Sequence, residues 1–414
     1  QPNCLLGKIM RRKNRTLFIS LIFETPLKFI LRFFFRNLQY GCLHIQTPSE
    51  QLWKFEGKKD RAAIAVWHLH NWKPLWAVVT RGSLGFGESY IHQDWSTPDL
   101  KILLSFAATN EKQLDGPKRR RKLLRLGDIK SHKGKINSKK QARKNIAYHY
   151  DLGNSFYNLW LDETMTYSSA LFQGKNVTLK EAQECKYQRI LDVLDVQPGS
   201  SLLEIGCGWG GFLEHAANQT KTSILGVSIS QAQTDYALKR LHHEKTRENV
   251  NIEICDYRDI KGSFDHIVSI EMFEAVGKEY WNTYAQKLKS LLSTNGTAVL
   301  QVITIEEERF DSYSDTPDYI QRYIFPGGML PSYSVLESTF VESGLQIIDS
   351  ISFGNDYAKT LSLWRNQFLE HWPSALELGF DESFRRMWEF YLVYCETGFQ
   401  QKSTDVVQIT LTHI

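Results

Sequence analysis

The sequence predicts an α/β chain with a doubly wound, mostly parallel sheet, preceded by a small α+β domain, and three observations carry that prediction. Apolar runs of strand length recur at 201–205, 223–229, 251–255, 265–270 and 297–303, with helix-length segments between them. Alternation of this kind builds a parallel sheet covered by helices. The first run ends in a glycine loop, SLLEIGCGWGG (201–211), of the type that turns a strand into a helix. The 414 residues, 13% of them aromatic, suffice for two domains and a large apolar core.

Along the chain, the stretch 17–35 is strongly apolar, but Glu24, Pro26, Lys28 and Arg32 interrupt it, so it does not read as a spanning helix. It lacks a small-residue cleavage site of the signal-peptide kind. An amphipathic helix from about Pro26, interfacial or packed against a domain, fits better, because Lys28, Arg32 and Arg36 repeat at i, i+4. The chain begins at Gln1, which leaves room for a preceding segment. Strand-like runs at 42–46, 51–55 and 63–68, a Gly-rich turn at 82–87 and helical stretches make residues 1–115 the small α+β domain.

Residues 116–146 read as a basic linker, opened by Gly116-Pro117. Between Pro117 and Lys144 stand thirteen Lys and Arg against the single acid Asp128. Such a run is either a solvated connection or an arm drawn to an anionic membrane surface, where each Lys or Arg contributes about 1 kcal/mol. No nucleic-acid-binding module accompanies it, so nucleic acid is not the expected partner. Residues 147–414 read as the larger domain. The six cysteines show no CxxC or His-Cys cluster, which points to a reducing compartment and no metal site.

The glycine loop is the main candidate site. Gly206, Gly208, Gly210 and Gly211 let a ligand approach the backbone where a Cβ would clash, and a helix N-terminus offers free N–H groups. Gly206, Gly208 and Gly211 also satisfy the dinucleotide pattern GxGxxG. A dinucleotide site expects a carboxylate at the end of the second strand. Here that strand, SILGVSISQ, ends in Ser and Gln. Glu204, just before the loop, suits a cationic amino-acid head and would repel a pyrophosphate. S-adenosylmethionine is therefore favoured over a nicotinamide dinucleotide. In open sheets ligands bind beyond the strand carboxyl ends, which adds the neighbourhoods of Ser228–Gln233, Asp256–Arg258, Glu271–Glu274 and Gln301–Ile305.

These segments, with YHYDLGNSFYNLWLDETMTYSSALF (148–172), YIFPGGMLPS (323–332), GNDYAKTLSLW (354–364) and SLGFGESY (83–90), closely resemble the cyclopropane-fatty-acyl-phospholipid synthase family, which includes the mycolic acid cyclopropane synthases. The likeness runs over about residues 82–414. It implies a Rossmann-like class I S-adenosylmethionine methyltransferase domain. The implied reaction is one-carbon transfer to the double bond of unsaturated phospholipid acyl chains, forming a cyclopropane ring. The implied location is cytoplasmic, peripheral to the inner face of the membrane, and the assembly leaves a homodimer open.

By the same resemblance, the glycine loop cradles the methionine portion of the cofactor, and Tyr150, Tyr167 and Ser168 line it. Ser228 and Gln233 fall near the ribose and cofactor loop, and Asp256 and Tyr257 near the adenine. Members of the family hold a bicarbonate ion as base, and the matching positions are Ser169, Glu274, Gln301, Ile303 and Tyr357. Ser169 stands for a cysteine, Gln301 for a histidine, and Ala275 where many members carry histidine. These departures bear on the reaction outcome more than on the fold.

An alkene is a poor nucleophile, so the donor must be aligned with it in a dry pocket that protects the resulting carbocation. Removing a proton from the new methyl closes a ring, and removing one from a neighbouring chain carbon leaves a methyl-branched alkene. A lipid C-methyltransferase giving a methyl-branched or methylenated chain is thus the alternative. Small-molecule N- or O-methylation, and a non-catalytic lipid- or cofactor-binding role, stand further off. Around an anion, Glu274 would accept, Tyr357 donate, Gln301 do either, and Ser169 offer its backbone N–H. Glu271 and Glu274, at i, i+3 near a strand end, would more ordinarily be caps or ion-pair partners. His149 and Trp209 read as packed side chains.

Overall fold

The computed structural model describes residues 24–59, 63–114, 137–139, 141, 152–174, 176–242 and 249–414. The chain divides into two compact units, 1–125 and 126–414.

The smaller unit carries a four-stranded sheet, β1 (Cys42–Gln46), β2 (Leu52–Glu56), β3 (Ile64–Leu69) and β4 (Trp95–Ser96), in the order β2-β1-β3-β4. In β2, Trp53 and Phe55 are buried while their neighbours are exposed, the period-two pattern of a half-buried strand. The segment expected as a Gly-rich turn is instead the second half of the helix Lys73–Ile91. Only Gly82 leaves helical geometry there, with φ 58°, and it kinks the helix. Gly85 lies so near the Ala77 carbonyl that a Cβ would collide with it, so close packing and not a turn explains this glycine. Phe86 stacks on Trp95 at 4.4 Å, tying the second half of the helix to β4. Residues 24–35 form the expected helix, and Phe29, Ile30, Phe33 and Phe34 on it are exposed.

The larger unit is built on seven strands: β5 (Ser201–Ile205), β6 (Ser223–Ser228), β7 (Val250–Ile254), β8 (Phe264–Ile270), β9 (Leu292–Ile305), β10 (Leu345–Ser352) and β11 (Thr404–His413). Their order is β10-β11-β9-β8-β5-β6-β7. The pairs β5–β6, β6–β7, β5–β8 and β8–β9 are parallel. β11 enters antiparallel between β9 and β10. The chain order reverses beside β5, which places the glycine loop at the switch point where open α/β sheets bind ligands. A core cluster that includes Leu203, Ile267, Leu300 and Ile409 holds the sheet to the helix Trp281–Leu291. A second cluster, with Leu202, Leu213 and Ile224, packs against the helices Leu179–Leu194 and Gly211–Gln219.

Among the described residues, no helix is long and apolar enough to cross a membrane. None of them forms a cluster of three His, Cys, Asp or Glu placed for a metal ion.

Candidate active site

A cavity opens at the carboxyl ends of β5, β6, β7 and β8. Of the positions picked from the sequence, Tyr167, Ser168, Glu204, Gly206, Gly208, Gly211, Ser228, Gln233, Asp256 and Tyr257 line it. Tyr150 and His149 lie outside the described residues. Gly206, Gly208 and Gly210 take φ of 86°, 51° and 83°, a region glycine enters at no steric cost. A Cβ on Gly211 would meet the Thr164 carbonyl at 2.8 Å and the Tyr187 hydroxyl at 2.9 Å, so the loop has no room for side chains there. Gly210 does not line the cavity. It starts the helix Gly211–Gln219, pressed so closely on Ala237 that a Cβ would come within 2.9 Å. Trp209 packs, as expected: it is buried, and its Nε1–H donates to Asn154 Oδ1 across 2.8 Å.

Two polar atoms in the cavity wall have no partner, Glu204 Oε2 and the Tyr257 hydroxyl. Burial pushes the Glu204 carboxyl up to about 8, against the pull of Lys186. A neutral carboxyl waiting for a cation, beside bare glycine backbone, fits the charge and shape of S-adenosylmethionine. Asp256, placed near the adenine by the resemblance, is covered by Arg258 with bonds of 2.7 Å from both Nε and an Nη. Burial would raise this carboxyl, but those bonds hold it below its usual range. Arg258 also donates to the carbonyl of Asn137. Asn137 falls within the stretch read as linker, yet it is buried and donates to the carbonyls of Ala275 (3.0 Å) and Gly327 (2.9 Å). The chain has therefore joined this unit well before residue 146.

Beside the cavity the structure gathers Ser169, Gln301 and Tyr357, as the resemblance implied, but around a side chain it did not name. Glu271 Oε1 accepts the Ser169 N–H (2.8 Å) and a Gln301 Nε2–H (2.7 Å), and Oε2 accepts the Tyr357 hydroxyl (2.6 Å). Glu274 Oε1 accepts the Ile303 N–H, and its Oε2 is buried with no partner. Burial, then the charge of Glu271, pushes the Glu274 carboxyl up to about 8. Burial also raises Glu271, opposed by its three bonds and by Lys186. Bicarbonate does not fit here: Ser169, Gln301 and Tyr357, the donors that would hold it, already hold Glu271.

Lys186 was not singled out by the sequence reading. Fully buried, it donates to Ser168 Oγ across 2.8 Å. Burial drives its ammonium down to about 7, opposed by Glu271, Asp162 and Glu204. A signal existed: on the helix Leu179–Leu194, Lys186 shares the buried face with Ala182 and Ile190 at i±4, where an apolar residue is expected. For Glu271 the trace was only a second carboxylate three residues before Glu274.

A switch-point glycine loop, a cavity suited to a sulfonium cofactor and a buried carboxylate beside it define a class I S-adenosylmethionine-dependent methyltransferase. A family model described as Mycolic acid cyclopropane synthetase matches residues 137–409, and this chain belongs to that family. The chain is 40% identical over 338 residues to the tuberculostearic acid methyltransferase of Mycobacterium tuberculosis, covering 80% of this chain and 79% of that protein. It is 34% identical over 337 residues to the cyclopropane-fatty-acyl-phospholipid synthase of Escherichia coli, covering 81% and 84%. Among solved structures it resembles a cyclopropane synthase from Mycobacterium tuberculosis at TM-score 0.61 and 30% identity, covering 65% of this chain and 97% of that one. A mycolic acid cyclopropane synthase complexed with SAH and CTAB matches at TM-score 0.61 and 29% identity, with the same coverage.

Proposed function

We propose that this enzyme transfers a one-carbon unit from S-adenosylmethionine to the double bond of an unsaturated fatty acyl chain carried on a membrane phospholipid. The observation that carries this reading is the half-buried Glu271 carboxylate, caged by three donors at the wall of the cofactor cavity. Methylating an alkene creates a carbocation, which must then lose a proton inside a dry site. The exposed Phe29, Ile30, Phe33 and Phe34, interleaved with Arg32, support contact with a bilayer, since aromatic side chains partition into the interface beside basic ones. The names of the Escherichia coli and Mycobacterium tuberculosis relatives support a fatty acyl substrate.

The bound cofactor supplies an electrophilic methyl group. The chain's own residues do the rest. The glycine loop admits the ligand against backbone, and Glu204 meets positive charge as its carboxyl ionises. Tyr167, held between Trp160 and Trp364 at 5.4 Å from each ring, helps close the pocket to water. The cyclopropane is the product the family resemblance favours. A methylenated or methyl-branched chain is the second reading, favoured by Gln301 and Ser169 where ring-forming synthases carry histidine and cysteine, and by the tuberculostearic acid methyltransferase relative.

The test incubates the protein with vesicles of unsaturated phospholipid and cofactor bearing a trideuterated methyl group. Two deuteriums retained, with ring protons in the NMR spectrum, identify the cyclopropane, and two with alkene protons identify the methylene. Three identify an intact methyl branch. No modified lipid would send the search to small-molecule acceptors and overturn the lipid reading.

A further inference from the structure

We propose that Glu271 is the base of this reaction, built into the chain where a free bicarbonate ion would otherwise be needed, so that turnover does not depend on bicarbonate. The inference rests on the reading of the reaction given above, but its structural basis is separate. A carboxylate at the end of β8 is aimed by three donors from three other parts of the chain: the Ser169 backbone, Gln301 on β9 and Tyr357 on the helix Gly354–Glu370. Each holds a lone pair of Glu271, so none of the three is left to hold a second anion. Glu271 shares the cavity wall with Gly206, Tyr167 and Ser168, so it faces the space where donor and acceptor meet.

The backbone supports this assignment. Glu271 sits at φ 50°, in the left-handed region that a long side chain rarely adopts, and its N–H is pinned to the Gln301 carbonyl across 2.8 Å. Non-glycine residues held there by their surroundings gather at functional sites. Glu274 cannot share the role equally. It is buried with one oxygen unpartnered, and two carboxylates at close quarters do not both ionise readily. The three bonds and the nearby Lys186 favour charge on Glu271, so Glu274 is the one that keeps its proton.

The step balances without a co-reactant. The alkene π pair forms a bond to the methyl carbon as the carbon–sulfur bond breaks, its electrons leaving with the sulfur of the S-adenosylhomocysteine product. Glu271 then takes a proton from the transferred carbon, and the released C–H pair closes the ring onto the neighbouring cationic carbon. Where a 1,2-hydride shift has first moved the positive charge onto the methyl-bearing carbon, the same pair forms the methylene double bond instead. The protonated carboxyl returns its proton to solvent after product release.

The test compares wild type, Glu271→Gln and Glu271→Gly in decarbonated buffer, with and without added bicarbonate, on unsaturated phospholipid vesicles. Wild type should turn over equally in both. Glu271→Gln should lose at least about a hundredfold in kcat, the scale of a lost general base, while cofactor binding by calorimetry is unchanged. Glu271→Gly suits φ 50° and frees the three donors, so it should be inactive without bicarbonate and regain turnover when the ion is added. Wild-type turnover that falls on decarbonation and returns with bicarbonate overturns the proposal, as does an active Glu271→Gln. Carbon-13 bicarbonate NMR tests it independently of any substrate. Binding to Glu271→Gly but not to wild type supports the built-in base, and binding to wild type with the affinity of the glycine variant overturns it. Failure of wild type on lipid both with and without added bicarbonate would instead count against the lipid reading alone.

Discussion

Gln408 donates its side-chain amide to Gln301 Oε1 across 3.0 Å, the two facing each other as a cross-strand pair on β11 and β9. Both are fully buried, and Arg189 donates in turn to Gln408 Oε1 across 2.9 Å. This chain decides which way the Gln301 amide points. With its oxygen engaged, it presents nitrogen to Glu271, so the donor character at that position is set two residues away from the reacting groups.

Gln408→Leu should therefore lower kcat about tenfold, roughly the 1.4 kcal/mol of one mispositioned buried hydrogen bond, with cofactor affinity unchanged. Steady-state kinetics paired with calorimetry checks it. A loss of cofactor affinity equal to the loss of rate would show a general structural role instead.

Glu204 makes cofactor binding proton-linked. Its carboxyl is pushed up to about 8, so it is protonated in the free protein at neutral pH. A bound cation favours the ionised form, so binding releases a proton. Affinity should thus rise with pH up to about 8 and level off above it. Calorimetry in buffers of different ionisation enthalpy reads the proton directly, and Glu204→Gln should abolish both the proton release and the slope.

Removing the buried ammonium should move the pH profile. Lys186 lowers the titration of both Glu271 and Glu204. Without it both carboxyls hold their protons to higher pH, so the acid limb of kcat for Lys186→Met should shift upward by about one unit. An unchanged limb would show that the ammonium does not act on the base.

Gly206→Ala places a Cβ within 2.9 Å of Met272 Cγ at φ 86°. Left-handed backbone costs an alanine about 1–2 kcal/mol. Cofactor affinity should fall about tenfold or more, measured by calorimetry, with the far-ultraviolet circular dichroism unchanged.

For the smaller unit, Phe29 and Phe33 are 75% and 59% exposed on the helix 24–35. Replacing both by Ser should cut partition onto anionic vesicles by about tenfold or more, since inserting even part of a phenyl ring gains about 1 kcal/mol. Cofactor turnover measured on a detergent-dispersed acyl substrate should not change.

The sequence alone determined the parallel part of the sheet and its ligand loop. β5 coincides with its predicted run, and β6 and β8 lie within a residue of theirs, because parallel strands buried on both faces read as apolar blocks. Glycines 206, 208 and 211 announced the cofactor cradle: Gly206 and Gly208 take left-handed backbone, and Cβ atoms on Gly206 and Gly211 would collide with their neighbours. Strands β10 and β11 were not legible. β10 shows mostly exposed positions, and β11 takes its place between β9 and β10 only after the chain has passed through the helices Gly354–Glu370 and Glu382–Gln400. The glycines at 82–87 looked like a turn because sequence does not distinguish a glycine that bends the chain from one that lets a helix pack closely. The donor set Ser169, Gln301 and Tyr357 was visible position by position, but not what it holds. Only the tertiary structure decided that: the left-handed backbone at Glu271 swings its carboxylate into a cage whose members lie 102, 30 and 86 residues away in sequence, and hydrogen bonds over such separations are specified by packing rather than by local pattern.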